Sequence, residues 1–345
     1  MAYDGVIKDF ESIRRKETPK RLPCVACSEE FDVKWYGKYD YEDFCQDGDK
    51  IFEVYKAAIE EFDYDWAWCQ IDDCFEFEPA GVGCVGEGNI LRATHGYLPA
   101  TRESLEKLPE MNPLKDGRMP EKLKAIRKLR DYFGDSVLVT GSCAGPFSAV
   151  GLMWSIEESM VMMLMDEELL RDAMEYWRKF YMRYIKAQKD AGAHAIWFGD
   201  CNTFSSMVSV EQYKKYIFPQ TRELVQYAEN EIGVMMWMHN SEISIPHVLS
   251  HIPLGLSFES IGPAANIAEM RKATKGRHSI SGNLDPIEVL WRGTPEIISR
   301  EAERIIGICK DGGGYIFNTG EMNPRDIPEE NMKAMMRAAK KISKY

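Results

Sequence analysis

The chain has 345 residues, of which 45% are hydrophobic, so it can bury the core of one large α/β domain or of two ordinary ones. Its net charge of −12 argues against nucleic acid or an anionic membrane surface as a partner, because both repel an acidic protein. No run approaches the roughly 18 apolar residues that span a membrane, and no apolar signal region follows the first methionine. The nine cysteines lack a disulfide or zinc-ribbon spacing, so we expect reduced thiols and a cytoplasmic protein.

Short apolar runs alternate with amphipathic segments along the whole chain. The runs lack period-two alternation, which is typical of strands that are buried on both faces. The predicted strands are residues 22–27, 66–71, 136–140, 193–198, 233–238, 254–258, 278–281 and 314–317. Helices are predicted within residues 1–20 and over residues 50–62, 121–133, 167–191, 210–227 and 329–342.

This alternation of eight strands with helices, without a linker between them, predicts an α/β fold. It is the signature of a single (β/α)₈ TIM barrel that takes in residues 1–345. Residues from about 1 to 20 form a predicted N-terminal extension, and residues from about 74 to 120 form a long loop after the second strand. A loop of this length is typical of a lid or a binding element.

Polar residues follow every predicted strand, and in a barrel all these strand ends meet at one face. They are Glu29, Glu30, Asp72, Asp73, Ser142, Asp200, His239, Glu259, Asn283, Asn318 and Glu321. Each acid alone could be a helix N-cap. So many carboxylates at one mouth would repel each other unless some are protonated or bound to a cation. His239, Glu259 and Glu321 form an adequate ligand set for Zn²⁺ with one open position.

Aromatic side chains crowd the predicted rim, whereas lysine and arginine are nearly absent from the strand ends. This pattern argues against a phosphorylated substrate and favours a flat, apolar ligand, and no nucleotide-binding glycine motif is present. The residues expected to bind the substrate are Trp35, Tyr36, Phe75, Trp154 and Phe204, together with Asn283 and Asn318 at strand ends.

Several runs resemble the uroporphyrinogen decarboxylase superfamily, whose fold is a TIM barrel. They are residues 141–148, 191–200, 282–286 with 293–296, and 312–318 with 328–331. The resemblance extends from about residue 60 to the end, and the last of these motifs is the most specific. It implies one of two chemistries, porphyrin decarboxylation or corrinoid-dependent methyl transfer.

The resemblance favours the methyltransferase branch. Decarboxylases of this superfamily carry arginines after strand one that hold propionates, but residues 24–30 here read Cys-Val-Ala-Cys-Ser-Glu-Glu. Coenzyme M methyltransferases bind zinc through His-x-Cys after strand five and a cysteine after strand eight. This chain matches His239 but has Ser241 and Glu321 at the other two positions. The chain therefore looks like an O-demethylase methyltransferase, which implies a separate corrinoid protein as partner and its cobalamin as cofactor, with Zn²⁺ as a second candidate.

Such an enzyme moves a methyl group from a methoxylated aromatic to cob(I)alamin. The departing phenolate has a conjugate acid with a pKa of about 10, by analogy with tyrosine, so it needs a proton or a Lewis acid. We expect one carboxyl among Asp72, Asp73 and Asp200 to stay protonated and supply the proton, with His239 as a further catalytic residue or metal ligand. A decarboxylase or lyase, and a non-catalytic partner of a corrinoid protein, remain as alternatives.

Overall fold

The computed structural model describes residues 3–344. The strands are β1 (Trp66–Trp68), β2 (Gly83–Glu87), β3 (Ile90–Gly96), β4 (Leu138–Ala144), β5 (Ala195–Gly199), β6 (Met235–Glu242), β7 (Phe258–Ile261), β8 (Ile280–Leu284) and β9 (Tyr315–Thr319). The α-helices are α1 (Val6–Arg14), α2 (Glu29–Tyr36), α3 (Tyr41–Cys45), α4 (Gly48–Phe62), α5 (Arg102–Glu106), α6 (Met119–Phe133), α7 (Pro146–Trp154), α8 (Ile156–Met165), α9 (Glu167–Asp190), α10 (Val210–Gln212), α11 (Phe218–Gln226), α12 (Ile245–His251), α13 (Ile267–Thr274), α14 (Pro295–Cys309) and α15 (Glu329–Ile342). Single 3₁₀ or π turns occupy Cys201–Thr203, Tyr213–Ile217, Tyr227–Glu231, Ile252–Leu254 and Pro286–Trp291.

Seven strands form one parallel sheet in the order β1-β4-β5-β6-β7-β8-β9, and a short extended segment closes it. The N–H of Val25 donates to the carbonyl of Phe317 in β9 at 3.0 Å, and the N–H of Asp65, next to β1, donates to the carbonyl of Cys24 at 3.0 Å. The predicted first strand is thus only a bridge between β9 and β1. Pro23 offers no N–H to lengthen the ladder. Eight backbone segments therefore surround the centre.

The centre of the barrel is filled by aromatic side chains. Trp66 lies 5.0 Å from Trp237 and 5.5 Å from Trp197 between ring centroids, although β1 and β6 are not neighbours in the sheet. Side chains of separated strands meet only inside a barrel. Phe258 packs on Trp237 at 5.0 Å, and Phe10 of α1 packs on Phe258 at 5.9 Å. The N-terminal helix thus plugs the core, and the buried tryptophans form an apolar floor beneath the strand ends.

Several strands run past the boundaries predicted from their apolar runs. β6 continues to Glu242 and β8 continues to Leu284. β7 begins at Phe258, later than predicted, and continues to Ile261. The polar residues that seemed to end these strands instead face either the barrel interior or the surrounding helices. As a result, Glu259 and Asn283 lie within strands and not in rim loops.

The predicted long loop contains structure of its own. β2 and β3 form an antiparallel hairpin, and the short helix α5 follows it. Arg118 ties this segment to the barrel, because its guanidinium pairs with Asp72 at 2.8 Å and with Glu78 at 3.0 Å. Arg92 of the hairpin pairs with the same Glu78 at 2.7 Å.

Within residues 3–344, no single helix is long and apolar enough to cross a membrane. α7 and α8 reach that length and composition only as a pair, and they are bent by 112° relative to each other.

Candidate active site

A cavity of about 200 Å³ lies where β1, β4, β5, β6 and β9 end. This is the face of a barrel at which enzymes of this architecture place their chemistry. Its lining combines carboxylates, an imidazole, an indole and two thiols, and includes Asp73, Trp197, Cys201, His239 and Glu321. Two residues of the predicted zinc set, His239 and Glu321, therefore lie together in this cavity.

His239 is held on both nitrogens and on one ring face. Its Nδ1 lies 2.7 Å from Oγ of Ser260, and its Nε2 lies 3.1 Å from Oε1 of Glu321. The ring stacks on Trp197 with a centroid distance of 4.7 Å. Burial lowers the pKa of His239, but Cys201 and Glu321 outweigh it and raise the pKa to about 10. The ring is therefore an imidazolium at neutral pH.

Glu321 is the counter-ion of this imidazolium. The hydroxyl of Ser241 donates to its Oε2, and the N–H of Met322 donates to its Oε1 at 3.0 Å. Burial raises the pKa of Glu321, but the charge and hydrogen bond of His239 outweigh burial and lower it to about 2. The pair is charged on both sides and neutral as a whole.

Asp73 is the predicted acid that reaches the cavity directly. Its side chain is open to the cavity and accepts a hydrogen bond from Nε2 of Gln70 at 2.7 Å. Loss of solvation within the cavity and the charge of the neighbouring Asp72 raise the pKa of Asp73. A carboxyl of this kind is more readily protonated than one in water.

Asp200 lies behind the cavity wall. Its carboxyl is fully buried, and its Oδ1 accepts a hydrogen bond from the hydroxyl of Ser148 at 2.9 Å. Ser148 in turn lines the cavity. Its Oδ2 has no hydrogen-bond partner among the described residues. Burial raises the pKa of Asp200 to about 6. Asp200 therefore meets the cavity only through Ser148.

Asp72 does not take the predicted place of a proton donor. Its two oxygens accept from the guanidinium of Arg118 at 2.8 and 2.9 Å, and Oδ1 also accepts the N–H of Cys74. Both oxygens of Asp72 are thus engaged by one guanidinium in a two-pronged ion pair. Phe75 belongs to the same cluster, because Arg118 stacks on its ring at 4.0 Å. Neither residue lines the cavity.

Glu259 contradicts the predicted zinc ligand set. Its neighbour Ser260 faces inward to His239, so Glu259 points out of the barrel, as alternation along a strand requires. There its oxygens accept from His251 at 2.9 Å and from His278 at 2.7 Å. Burial raises the pKa of Glu259, but the two histidines outweigh it and lower the pKa to about 2.

The remaining donors do not fit a catalytic zinc site, which takes three protein ligands. Within residues 3–344, no third His, Cys, Asp or Glu ligand atom lies within 4.8 Å of both His239 and Glu321. These two side chains satisfy each other instead. The predicted set of His239, Glu259 and Glu321 therefore does not form a zinc site in the part of the chain that the structure describes.

A different group, formed by Cys74, Glu78 and Cys84, brings three ligand atoms within 4.8 Å of one another. The sequence spacing did not indicate it. Both oxygens of Glu78 already accept from Arg118, at 3.0 Å each, and one also accepts from Arg92 at 2.7 Å. This carboxylate is therefore committed to guanidinium groups, and only two thiols remain for a metal.

The predicted aromatic wall lies outside the cavity. Trp35 packs on Phe62 at 5.0 Å, and the hydroxyl of Tyr36 donates to Glu53 at the surface. Trp154 is fully buried, and Phe204 is half-buried away from the lining. Trp35, Tyr36 and Trp154 pack against the hydrophobic core, a role that composition alone does not separate from ligand binding.

The two predicted amides stabilise the rim. Nδ2 of Asn283 donates to the carbonyls of Gly262 and Ala265, both at 3.0 Å. Oδ1 of Asn318 accepts the N–H of Thr319 at 2.8 Å, and its Nδ2 contacts Sγ of Cys27. Their side chains are buried, and neither lines the cavity.

Sequence reasoning missed Trp197, Cys201, Ser148 and Ser260, which complete the site. Trp197 precedes Gly199 by two residues, and Ser260 follows Phe258 by two. In each pair both residues face the barrel interior. This two-residue spacing is the signal that could have revealed Trp197 and Ser260 once the strand register was known.

Comparison with known proteins places this geometry in a family. The model of the uroporphyrinogen decarboxylase (URO-D) family matches residues 7–342. A methylcobamide:CoM methyltransferase of Methanosarcina acetivorans is 24% identical over 94% of this chain and 95% of its own length. A uroporphyrinogen decarboxylase of Koribacter versatilis is 26% identical over 89% of this chain and 86% of its own length. The similarity thus includes both the decarboxylases and the predicted methyltransferase branch.

Among solved structures, a methyltransferase from Methanosarcina mazei superposes with a TM-score of 0.87 over 97% of this chain and 98% of that chain, at 17% identity. This likeness confirms the predicted TIM-barrel fold. Taken with the family match over residues 7–342, it shows that the chain belongs to the uroporphyrinogen decarboxylase family.

Proposed function

We propose that this protein is a corrinoid-dependent methyltransferase that removes the methyl group of a methoxylated aromatic compound and passes it to a separate corrinoid protein. The observation that carries the proposal is a buried imidazolium, His239, that lines a small cavity on an aromatic floor. Relatives named as methylcobamide methyltransferases support the reaction class.

The size of the cavity favours a single aromatic ring as substrate. Its volume of about 200 Å³ is below the roughly 300–1,000 Å³ of sites for drug-sized ligands. A corrin macrocycle does not fit inside and must approach the mouth, which agrees with a corrinoid carried by another protein. When bound there, the corrinoid supplies the nucleophilic cobalt that accepts the methyl group.

His239 supplies the proton that the leaving group needs. A phenol has a pKa of about 10, by analogy with tyrosine. The pKa of His239 is also raised to about 10, so transfer of its proton to the departing phenolate oxygen, as the carbon–oxygen bond breaks, is nearly balanced in energy. Glu321 keeps the ring charged beforehand through its contact with Nε2 at 3.1 Å, so the departing oxygen has to replace Glu321 as the acceptor of the Nε2 proton. Trp197 offers a flat surface for an aromatic ring.

Asp73 and Asp200 have supporting roles in this proposal. Asp73 opens onto the cavity with a raised pKa, so its protonated form donates a hydrogen bond to a polar substituent of the substrate. Asp200 orients the hydroxyl of Ser148, its link to the cavity. All nine cysteines are unpaired, which supports a reducing compartment such as the cytoplasm.

The test is to mix the purified protein anaerobically with cob(I)alamin and a panel of methoxyarenes, and to follow the cob(I)alamin absorbance together with phenol release. The proposal predicts stoichiometric loss of cob(I)alamin and release of the matching phenol for at least one donor. A parallel incubation with uroporphyrinogen tests the decarboxylase alternative. Decarboxylation there, with no methyl transfer from any methoxyarene, would overturn the proposal.

A further inference from the structure

A second cavity, of about 620 Å³, lies on the outer face of the barrel between α6 and α9. Residues 110–114 and Tyr227 complete its lining, and it shares no lining residue with the cavity at His239. Its volume falls within the roughly 300–1,000 Å³ typical of small-molecule sites.

The walls of this outer cavity are largely apolar. Met111 and Leu123 are buried and form its inner side, while Leu114 is 65% exposed at the opening. Ala187 and the ring of Tyr227 lie on the α9 side. Leu114 extends the apolar lining to the mouth of the cavity.

The charges of the outer cavity favour an anion. Arg127 has no ion pair or hydrogen-bond partner in the part of the chain that the structure describes. Arg183 makes one hydrogen bond, to the carbonyl of Met111 at 3.3 Å. Lys186 is neutralised by Asp190 at 2.7 Å, and Glu110 offsets only one of the two arginines. The outer cavity therefore carries excess positive charge in a chain whose net charge is −12.

We propose that the outer cavity binds an amphipathic organic anion, with a carboxylate or sulfonate head on Arg127 and Arg183 and an apolar body against Met111, Leu123 and Ala187. A planar guanidinium binds such a head through two parallel hydrogen bonds. Burying the body removes the apolar wall from water. This site is independent of the methyl-transfer reaction proposed above.

The experiment titrates the full-length protein with two fluorescent probes of similar shape. One is the anion 8-anilino-1-naphthalenesulfonate, and the other is the uncharged N-phenyl-1-naphthylamine. We expect saturable binding of one anion per chain, displaced by dodecanoate. Arg127→Gln should weaken the sulfonate at least about tenfold and leave the uncharged probe nearly unchanged.

Two further variants locate the site. Ala187→Phe fills the outer cavity and should weaken both probes. Arg300→Gln removes an exposed arginine from α14, which lines neither cavity, and should change neither affinity. Thermal unfolding checks that each variant is folded. Absence of saturable binding, equal affinity for both probes, or a sulfonate affinity that Arg127→Gln leaves unchanged would overturn the proposal.

Discussion

At the scale of the residue, the pairing of His239 with Glu321 sets the chemistry of the site. The structure places the pKa of His239 at about 10, against an ordinary value of 6.5. Nuclear magnetic resonance of the ¹⁵N-labelled imidazole should therefore show the charged form through neutral pH and its loss only as the pH rises through about 10. Glu321→Gln removes one of the two groups that raise this pKa, the other being Cys201, and should lower it. Titration near 6.5 in both proteins would contradict the ion pair.

Asp200 illustrates a second effect at this scale, a carboxyl whose ionisation destabilises the fold. Its folded-state pKa of about 6 lies above the ordinary 3.8, so the penalty is absent below about pH 4 and complete above about pH 6. Asp200→Asn should therefore raise the free energy of unfolding at pH 7 by about 1–2 kcal/mol, after the cost of one unpartnered amide, but not at pH 4.

The same variant tests the role of Asp200 in catalysis. Asp200→Asn should lower kcat and leave KM nearly unchanged, because the carboxyl meets the cavity only through Ser148. Urea denaturation at the two pH values and steady-state kinetics provide the readouts. Equal destabilisation at both pH values would point to a packing role alone, and unchanged kcat would remove Asp200 from the mechanism.

At the scale of the element, Arg118 anchors the hairpin segment to the barrel. Removing one member of a buried ion pair leaves its partner charged and unpaired, which costs about 3–5 kcal/mol. Arg118→Gln should therefore lower the free energy of unfolding by that order, since Asp72 is buried beside it. The matched control is Lys107→Gln, because the pair of Lys107 with Glu103 is exposed and should contribute less than about 1 kcal/mol. Similar losses in the two variants, measured by urea denaturation, would contradict the anchoring role.

Helix α1 makes an equally local contribution. Phe10 is fully buried and packs on Trp237 and Phe258 at the centre of the barrel. Phe10→Ala should leave a cavity there and cost about 3–5 kcal/mol of unfolding free energy. Phe52, half-buried on α4, serves as the comparison, and Phe52→Ala should cost clearly less. Equal losses for the two would show that α1 does not plug the core.

At the scale of the whole molecule, the alternation of apolar runs with helices was enough to predict the barrel, because burial on both faces imposes that pattern on every strand. His239 and Glu321 could also be predicted, since each follows an apolar run that ends at the active face. The side to which Glu259 points could not, because the apolar run of residues 254–258 places it after the end of the strand, whereas it lies within β7. Inside the strand, alternation turns its carboxylate away from the cavity and toward His251 and His278.

In the proposed function, a carrier protein presents the corrinoid at the mouth of the small cavity. Positioning by a partner protein converts a bimolecular encounter into a nearly unimolecular one. Methyl transfer to the corrinoid protein should therefore exceed transfer to free cob(I)alamin by at least about tenfold at equal corrinoid concentration. The control adds the same corrinoid protein without its cofactor to the free cob(I)alamin reaction. Equal rates with both acceptors would contradict a docked carrier.

Proton donation from His239 to the departing phenolate should govern how the methyl-transfer rate depends on the leaving group. A series of substituted methoxybenzenes would be compared in the unaltered protein and in His239→Gln, with thermal unfolding as the check on folding. We predict a shallow dependence on phenol pKa in the unaltered protein. In the variant we predict a steep one, with a loss of about 10²–10⁴-fold for the most basic phenolates. The same slope in both proteins would contradict the account.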